Sequence, residues 1–592
     1  MQLSRVKRLY SHRYLPGLDG FRAIAVIAII IFHLNAQWLP GGFLGVDTFF
    51  VISGYLITAL LLSEYEREGS IDLIAFWKRR IKRLIPAVIF LLGVVLTYVV
   101  LFEPKLILDI KQDVVAAFFY VSNWWYIIQN VDYFNQFESA PLKHLWSLAI
   151  EEQFYLVYPI ILLLLLLLKF AKRRETFFTL LIVSLISLLL MIILSHFNNG
   201  QSRVYFGTDT RLQTLLLGAL LAMVWSPFSM KSNIPNSRRS LIDVLGALGF
   251  IGLIIMFFTT SSKAGWLYNG GFYIISFFTL FIIASAAHPS GWFAKLMGNK
   301  WFVYIGKRSY SLYLWHYPVI TFVHSHFVDG QIPFYAYLLD LILMCLMTEF
   351  SYRFIEKPVR KHGIKAFAIS PTKRKQFYRM AIAAILVVPT LLLFSGQFDA
   401  KGKKFQEHKQ TSFNSTKSKD DKQSNKQKQG FEGQIKPMLI GDSVMVDIGK
   451  YFQKQVPNAK VDGKVGRQLT DANNLINSKY ENYCKPNKDI VLELGTNGDF
   501  TEGQLNTLIK KCNGANIYLT TTRVPRKYEQ HVNQLIHEAG KKHKNVHVVE
   551  WYKASEGHQE YFAKDGIHLQ PIGSKALSNL IIKEIKKVHN AG

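Results

Sequence analysis

Apolar runs of membrane length recur along the first two thirds of the chain and then stop. A spanning helix needs about 20 predominantly apolar residues. That rule predicts eleven spans: Phe21–Trp38, Phe43–Leu62, Leu84–Phe102, Leu148–Leu168, Phe177–Phe197, Leu212–Pro227, Leu241–Thr259, Gly270–Ala287, Ser309–Phe327, Pro333–Tyr352 and Met380–Gly396. Val114–Ile128 is a further apolar run. After about Pro437 the pattern changes to short apolar runs parted by polar, helix-forming stretches. KPMLIGDS (436–443) and DIVLELGTNG (489–498) each read as a buried strand that ends in a turn. Asn516–Thr521 and Val546–Trp551 are further strands, and Ser574–Val588 is an amphipathic final helix. Strands alternating with helices predict an α/β domain with a parallel sheet. Ligand sites in such folds lie at the carboxyl ends of strands, where Ser443 and Asn497 fall. Between the two regions, a Lys-, Gln-, Ser- and Asn-rich stretch cannot bury a core and predicts a disordered tether. The domains expected are therefore 1–398, an all-α polytopic membrane bundle; 399–436, the tether; and 437–592, the α/β domain.

Charge then decides orientation. The formal net charge is +28. The Lys and Arg residues sit mostly in short loops, as the positive-inside rule requires of a membrane protein, and no nucleic-acid motif accompanies them. If Val114–Ile128 does not span, the inner loops carry 30 Lys and Arg and the short outer loops carry 6. If it spans, KFAKRR (169–174) turns outward with everything after it. Val114–Ile128 is accordingly read as interfacial or re-entrant, with Trp124, Trp125 and Tyr126 suited to a headgroup boundary. Eleven spans with an inner N-terminus place the C-terminal domain outside the cell. The first apolar run lacks a small-residue cleavage site and reads as a retained helix. Cys345 lies in an apolar run, whereas Cys484 and Cys512 are free to pair or not if their domain is outside.

Several polar groups interrupt the apolar runs. Arg22 and His33 are eleven residues apart, about 16 Å along one face of a helix. An ionisable group inside a membrane is a functional candidate. GVDTFFVISGYLIT (45–58) carries Asp47 and a Ser53–Gly54 pair that lets backbones approach. FWKRRIKRLIP (76–86) reads as a basic inner loop able to hold an acidic cytosolic ligand such as a nucleotide diphosphate. HLWSLAIEEQFYLVYP (144–159) places Glu151 and Glu152 just inside an outer boundary. SYSLYLWHYP (309–318) places His316 in another span, and IEKPVR (355–360) closes a helix. This ordered series, with LDGFRAIAV and FHLN, resembles the acyltransferase-3 family of integral-membrane acyltransferases over about Leu15–Arg360. The resemblance implies acetyl-CoA as cytosolic donor, with no metal. It implies Arg22 and His33 as the family's Arg…His pair and Glu151 or Glu152, with Glu152 preferred, as its essential acid. His33 is then the base, a carboxylate its orienting partner, and Arg22 the partner of a donor phosphate. Tyr205 is a further candidate, a hydroxyl that carries the acyl group outward.

In the C-terminal domain GDS (441–443), GTN (495–497) and DGIHL (565–569) together resemble the SGNH (GDSL-type) hydrolase family. The resemblance implies Ser443 as nucleophile, His568 as base and Asp565 as its orienter. It implies an oxyanion hole of the Ser443 and Gly466 backbone N–H groups and the Asn497 side chain. The fusion as a whole resembles bacterial peptidoglycan O-acetyltransferases. It implies a cell-membrane enzyme that passes acetyl from acetyl-CoA to an extracellular glycan, at the C6 hydroxyl of N-acetylmuramic acid, and so blocks lysozyme. Two other readings stand beside it: acetylation of another exported glycan, such as a teichoic acid or capsule, and an acyl exporter fused to a deacetylating esterase. The sequence carries no transporter-like internal symmetry to favour the last. A non-enzymatic scaffold fits poorly with ordered motifs in both halves.

Overall fold

The computed structural model describes residues 14–129, 131, 140–167, 173–196, 200–230, 234–262, 264–327, 332–363, 390–399, 432, 435–464, 466–526, 528–563 and 566–591. They fall into a helical unit, Met1–Val323 with Tyr335–Ala400, and a second unit, His324–Phe334 with Lys401–Gly592. Nearly all of the tether, and the first ten residues of the Met380–Gly396 run, lie outside the described residues.

Eight helices among the described residues are long and apolar enough to cross a membrane. Two predicted spans are shorter helices, Thr208–Val224 and Ser309–His324, of 17 and 16 residues. At 1.5 Å per residue each reaches about 25 Å, slightly less than a typical hydrocarbon core. Helices pack tightly where glycine permits. A Cβ on Gly54 would lie 1.9 Å from the Leu215 carbonyl, and one on Gly218 would lie 2.0 Å from that of Val51, so the Gly45–Glu68 and Thr208–Val224 backbones cross in contact. Val114–Ile128 falls in two short helices, Ile107–Phe118 and Ser122–Ile128, parted at Tyr120, whose φ is +54°.

Two expectations differ from what is found. FWKRRIKRLIP is not a loop: it forms the first turns of the Leu73–Phe102 helix. Asp72 caps that helix by accepting from the Ala75 N–H at 2.9 Å, and Lys and Arg are good helix formers. Glu151 shares a cavity with Arg22, whereas the sequence reading sets the two at opposite membrane boundaries. The segment before Glu151 folds into the bundle, where Lys143 and His144 are buried, so the Leu145–Leu167 helix starts deep and brings Glu151 beside Arg22.

The second unit holds a five-stranded, all-parallel sheet: β1 (Met438–Gly441), β2 (Lys460–Gly463), β3 (Asp489–Glu493), β4 (Asn516–Thr520) and β5 (Val546–Val549), in the order β2-β1-β3-β4-β5. Alternate residues serve opposite faces, as the strand period of two requires. Met438, Ile440, Ile490, Leu492, Ile517 and Leu519 pack with the Leu469–Leu475, Glu502–Lys511 and Glu529–Lys542 helices. Leu439, Val491, Tyr518 and Val549 pack with Ser443–Gln455 and Pro571–Ala591. β2 escapes the sequence reading because it is a polar edge strand, KVDG, with no buried residue. Cys484 and Cys512 form a disulfide.

Candidate functional sites in the two units

Proline builds the membrane site. A proline inside a helix has no N–H, so the carbonyl four residues earlier loses its partner. Pro318 frees the Leu314 carbonyl in this way, and His144 Nε2 donates to it at 3.1 Å. Pro159 frees the Tyr155 carbonyl, and Trp77 Nε1 donates to that at 3.1 Å. Each freed carbonyl therefore fixes a side chain from another segment.

The first case assembles three imidazoles. His33 Nδ1 lies 3.1 Å from His316 Nε2. The His144 ring centroid is 5.6 Å from that of His316, and Tyr317 packs against His33 at 5.0 Å and His144 at 5.2 Å. The Tyr313 hydroxyl donates to the His144 carbonyl at 2.9 Å and meets Ser147 Oγ at 2.6 Å. Among the described residues no group of three or more His, Cys, Asp or Glu side chains is disposed to hold a metal.

Tyr313 also forms part of the wall of a cavity of about 50 Å³ that Arg22, Ser147, Glu151 and Tyr310 line. Glu151 accepts from Tyr155 Oη at 2.9 Å and from Ser53 Oγ at 3.1 Å. Arg80 and Arg83 join Arg22, and the three act on one another and on the Glu151–Glu152 pair. Arg22 Nε and Arg83 Nε are buried without hydrogen-bond partners, as is Glu152 Oε1. A cluster of guanidinium groups with unused donors suits a polyanion. The sequence thus brings Arg22 and Glu151 to one cavity, whereas Glu152 faces Arg80 and Arg83. The group against His33 Nδ1 is the His316 ring, where a carboxylate was expected. Tyr205 is fully buried elsewhere, 4.6 Å from Trp146 and 5.0 Å from the Arg211 guanidinium, which is paired with buried Asp47 at 2.6 Å.

In the second unit the strand order reverses at β1 and β3, and ligands bind in such folds at that reversal. Ser443 follows β1 and opens the Ser443–Gln455 helix, with Asp442 as the cap that accepts from the Val444 N–H at 3.0 Å. Asn497 follows β3, and its amide donates to Thr496 Oγ1 at 3.2 Å. Thr496 in turn donates to Asp442, and Tyr528 Oη donates to the Thr496 carbonyl at 2.9 Å. The loop after β2 closes the third side. Lys464 N donates to the Gly441 carbonyl at 3.1 Å and Arg467 Nη1 to the same oxygen at 3.0 Å, with Gly466 between them at φ +79°. A Cβ on Gly498 would lie 3.6 Å from the Gln468 amide, so this loop meets the one after β3.

His568 is half-buried in a turn stapled to the same helix. Asp447, one turn after Ser443, accepts from the Leu569 N–H through Oδ2 at 2.8 Å. Asp565 lies outside the described residues. Beneath the site, Glu493 at the end of β3 hydrogen-bonds Asp442. Burial raises the carboxyl pKa of both, and the charge of Asp442 raises Glu493 further. Sequence reasoning missed His316 as the partner of His33, His144 beside His316, and Asp447. The signal for His144 was a proline four residues after Leu314 in LYLWHYP. The signal for Asp447 was its i+4 spacing from Ser443.

Buried imidazoles and guanidiniums inside a bundle of membrane-length helices mark a functional site of an integral-membrane protein. Residues 15–349 match the acyltransferase domain family. The O-acetyltransferase OatA of Staphylococcus aureus strain MRSA252 is 58% identical over 98% of this chain and 98% of its own. OatA of strain NCTC 8325 is 59% identical over the same shares. Among solved structures, the C-terminal catalytic domain of Streptococcus pneumoniae peptidoglycan O-acetyltransferase A, with a methylsulfonyl adduct, aligns at 19% identity and a TM-score of 0.24, over 26% of this chain and 95% of that one. The chain belongs to the acyltransferase domain family and is a membrane O-acetyltransferase.

Proposed function

We propose that the protein carries acetyl from cytosolic acetyl-CoA, through the membrane unit, to Ser443 outside the cell. From there acetyl passes to the C6 hydroxyl of N-acetylmuramic acid in peptidoglycan, which gives resistance to lysozyme. The observation that carries this reading is the convergence on Ser443 of three loops and the His568 turn, at the reversal point of a parallel sheet. Near full-length similarity to an O-acetyltransferase supports the reaction class. The charge bias of the loops supports an outer C-terminal domain of the SGNH kind, spanning 437–592 after the tether of 399–436 and a membrane domain of 1–398 with eleven spans. The Cys484–Cys512 disulfide supports the same compartment, since disulfides persist where the surroundings are oxidising.

The steps follow from the groups present. Arg22, with Arg80 and Arg83, holds the donor phosphates, and Glu151 and Glu152 keep that cluster in place. His33 removes the proton of the accepting hydroxyl, which attacks the thioester carbonyl; the C–S bond breaks and the departing sulfur takes the proton. Tyr205 is the proposed carrier hydroxyl. Outside, Ser443 Oγ attacks the acetyl carbonyl while His568, oriented by Asp565, takes its proton; the bond from the acetyl carbon to the carrier oxygen breaks, and the departing oxygen takes that proton from His568. The developing oxyanion is held by the Ser443 and Gly466 N–H groups and the Asn497 amide. The positive end of the Ser443–Gln455 helix adds to that stabilisation. The muramyl hydroxyl then attacks the acetyl-serine and His568 takes its proton; the acetyl–Oγ bond breaks, and His568 returns the proton to Ser443 Oγ. The test is base-releasable acetate on purified walls from cells carrying the wild type, Ser443→Ala or His33→Ala. Loss in both supports the relay; wild-type levels in either refute it.

A further inference from the structure

The imidazole pair in the membrane unit carries more information than contact alone. A backbone carbonyl can only accept a hydrogen bond. His316 Nδ1 lies 2.6 Å from the Tyr313 carbonyl, so Nδ1 carries the proton and donates. In a neutral ring the other nitrogen is then bare, and His316 Nε2 can only accept. It faces His33 Nδ1 at 3.1 Å, so His33 Nδ1 is the donor. The proton of neutral His33 is therefore on Nδ1, which leaves Nε2 with the lone pair.

We infer that His316 is the positioning residue of the membrane step, fixing His33 in the tautomer whose Nε2 serves as the base. The chain runs from the Tyr313 carbonyl through His316 to His33 and contains no carboxylate. That choice has a physical reason. An orienting carboxylate would bring a full charge into a fully buried position, which is costly in a membrane. A neutral imidazole held by a carbonyl fixes the ring without that charge. When His33 Nε2 takes the proton of the accepting hydroxyl, the positive charge is shared through Nδ1–H with the His316 lone pair. When the thiolate leaves, it takes that proton back from Nε2. His144 is held by the same rule, with its Nε2–H on the Leu314 carbonyl.

This inference rests on the proposal that His33 is the base and acetyl-CoA the donor, and the experiment separates the two. A Gln side chain can place an oxygen where His316 Nε2 stood; an Asn reaches only the position of Nδ1. Full-length protein in proteoliposomes is assayed for thiol release from acetyl-CoA as wild type, His316→Gln, His316→Asn and His316→Ala. The Asn and Ala variants lose about 10²–10⁴-fold in kcat with KM for acetyl-CoA within about threefold, on the scale of a mis-set tautomer. The Gln variant recovers to within about tenfold of wild type. In parallel, ¹⁵N spectra of the imidazoles, with His33 assigned by its loss in His33→Ala, read the tautomer whatever the donor is. A protonated Nδ1 and bare Nε2 in wild type and His316→Gln support the inference. A bare Nδ1 in wild type, or equal rates for the Gln and Asn variants, overturns it.

Discussion

Asp447→Ala removes a hydrogen bond between the Ser443–Gln455 helix and the His568 turn without changing Ser443 or His568. The Asp447 carboxylate accepts from the Leu569 N–H at 2.8 Å, and Leu569 is only 8% exposed. Losing a hydrogen bond to a charged group costs about 1.5–3 kcal/mol. Every 1.4 kcal/mol is about tenfold in an equilibrium. If the cost fell wholly on docking of the turn, the docked fraction would drop relative to the undocked by about 10–100-fold. Other contacts limit this: the Ala563 N–H donates to the His568 carbonyl at 2.7 Å and the Gln570 N–H to the Tyr561 carbonyl at 2.8 Å, so the turn keeps its own shape. The expected loss in kcat/KM for acetyl-ester cleavage by the full chain is therefore about 10-fold and no more than about 100-fold. Asp447→Asn retains an acceptor oxygen in the same place and should recover most of it. The assay is release of a chromogenic acetyl ester by purified protein, with Ser443→Ala as the background. Wild-type kcat/KM in Asp447→Ala, or an Asn variant as impaired as the Ala variant, would refute the stapling argument.

Other predictions follow from particular groups. Glu493 has a carboxyl pKa raised by burial and by Asp442, so the folded chain binds more protons than the unfolded one above the unfolded value of about 4.3, and stability falls as pH rises through that window. Glu493→Gln keeps a donor to Asp442 without the titration, so thermal melts should show a flatter pH dependence and a higher midpoint than wild type at neutral pH. The Cys484–Cys512 bond closes a separation of 28 residues, and by loop-closure entropy its removal in Cys484→Ser should cost about 3–4 kcal/mol in denaturant unfolding of the second unit. Pro318→Ala restores an N–H for the Leu314 carbonyl, competes with His144, and should lower donor cleavage while leaving the protein inserted in the membrane. Tyr205→Phe should abolish wall acetate in cells; full acetylation by that variant would remove Tyr205 from the path.

What the sequence made legible depends on how local the cause was. Span existence follows from apolar length, and the Ser443 and Asn497 turns follow from apolar runs that end in GDS and GTN. β2 was hidden because an edge strand of Lys, Val, Asp and Gly lacks an apolar signature. The basic FWKRRIKRLIP segment reads as a loop because its charge resembles that of a membrane edge, whereas its Lys and Arg residues are good helix formers behind the Asp72 cap. Partners were the hardest to see. His33, His144 and His316 lie more than a hundred residues apart in sequence; His33 meets His316 ring to ring, and His144 is held beside them by the carbonyl that Pro318 frees. Asp447 and Leu569 are separated by 122 residues, and no local pattern announces a backbone N–H as the target of a carboxylate.

In the proposed relay one acetyl group passes from the imidazole site in the membrane to Ser443. Isotope-labelled acetyl-CoA supplied to the cytosolic side of sealed vesicles, with the peptide that contains Ser443 read by mass spectrometry, follows that handover. Labelled acetyl is expected on Ser443 in the wild type and none in His33→Ala. Labelled acceptor glycan with an unmodified Ser443, and undiminished labelling in Ser443→Ala, would contradict it.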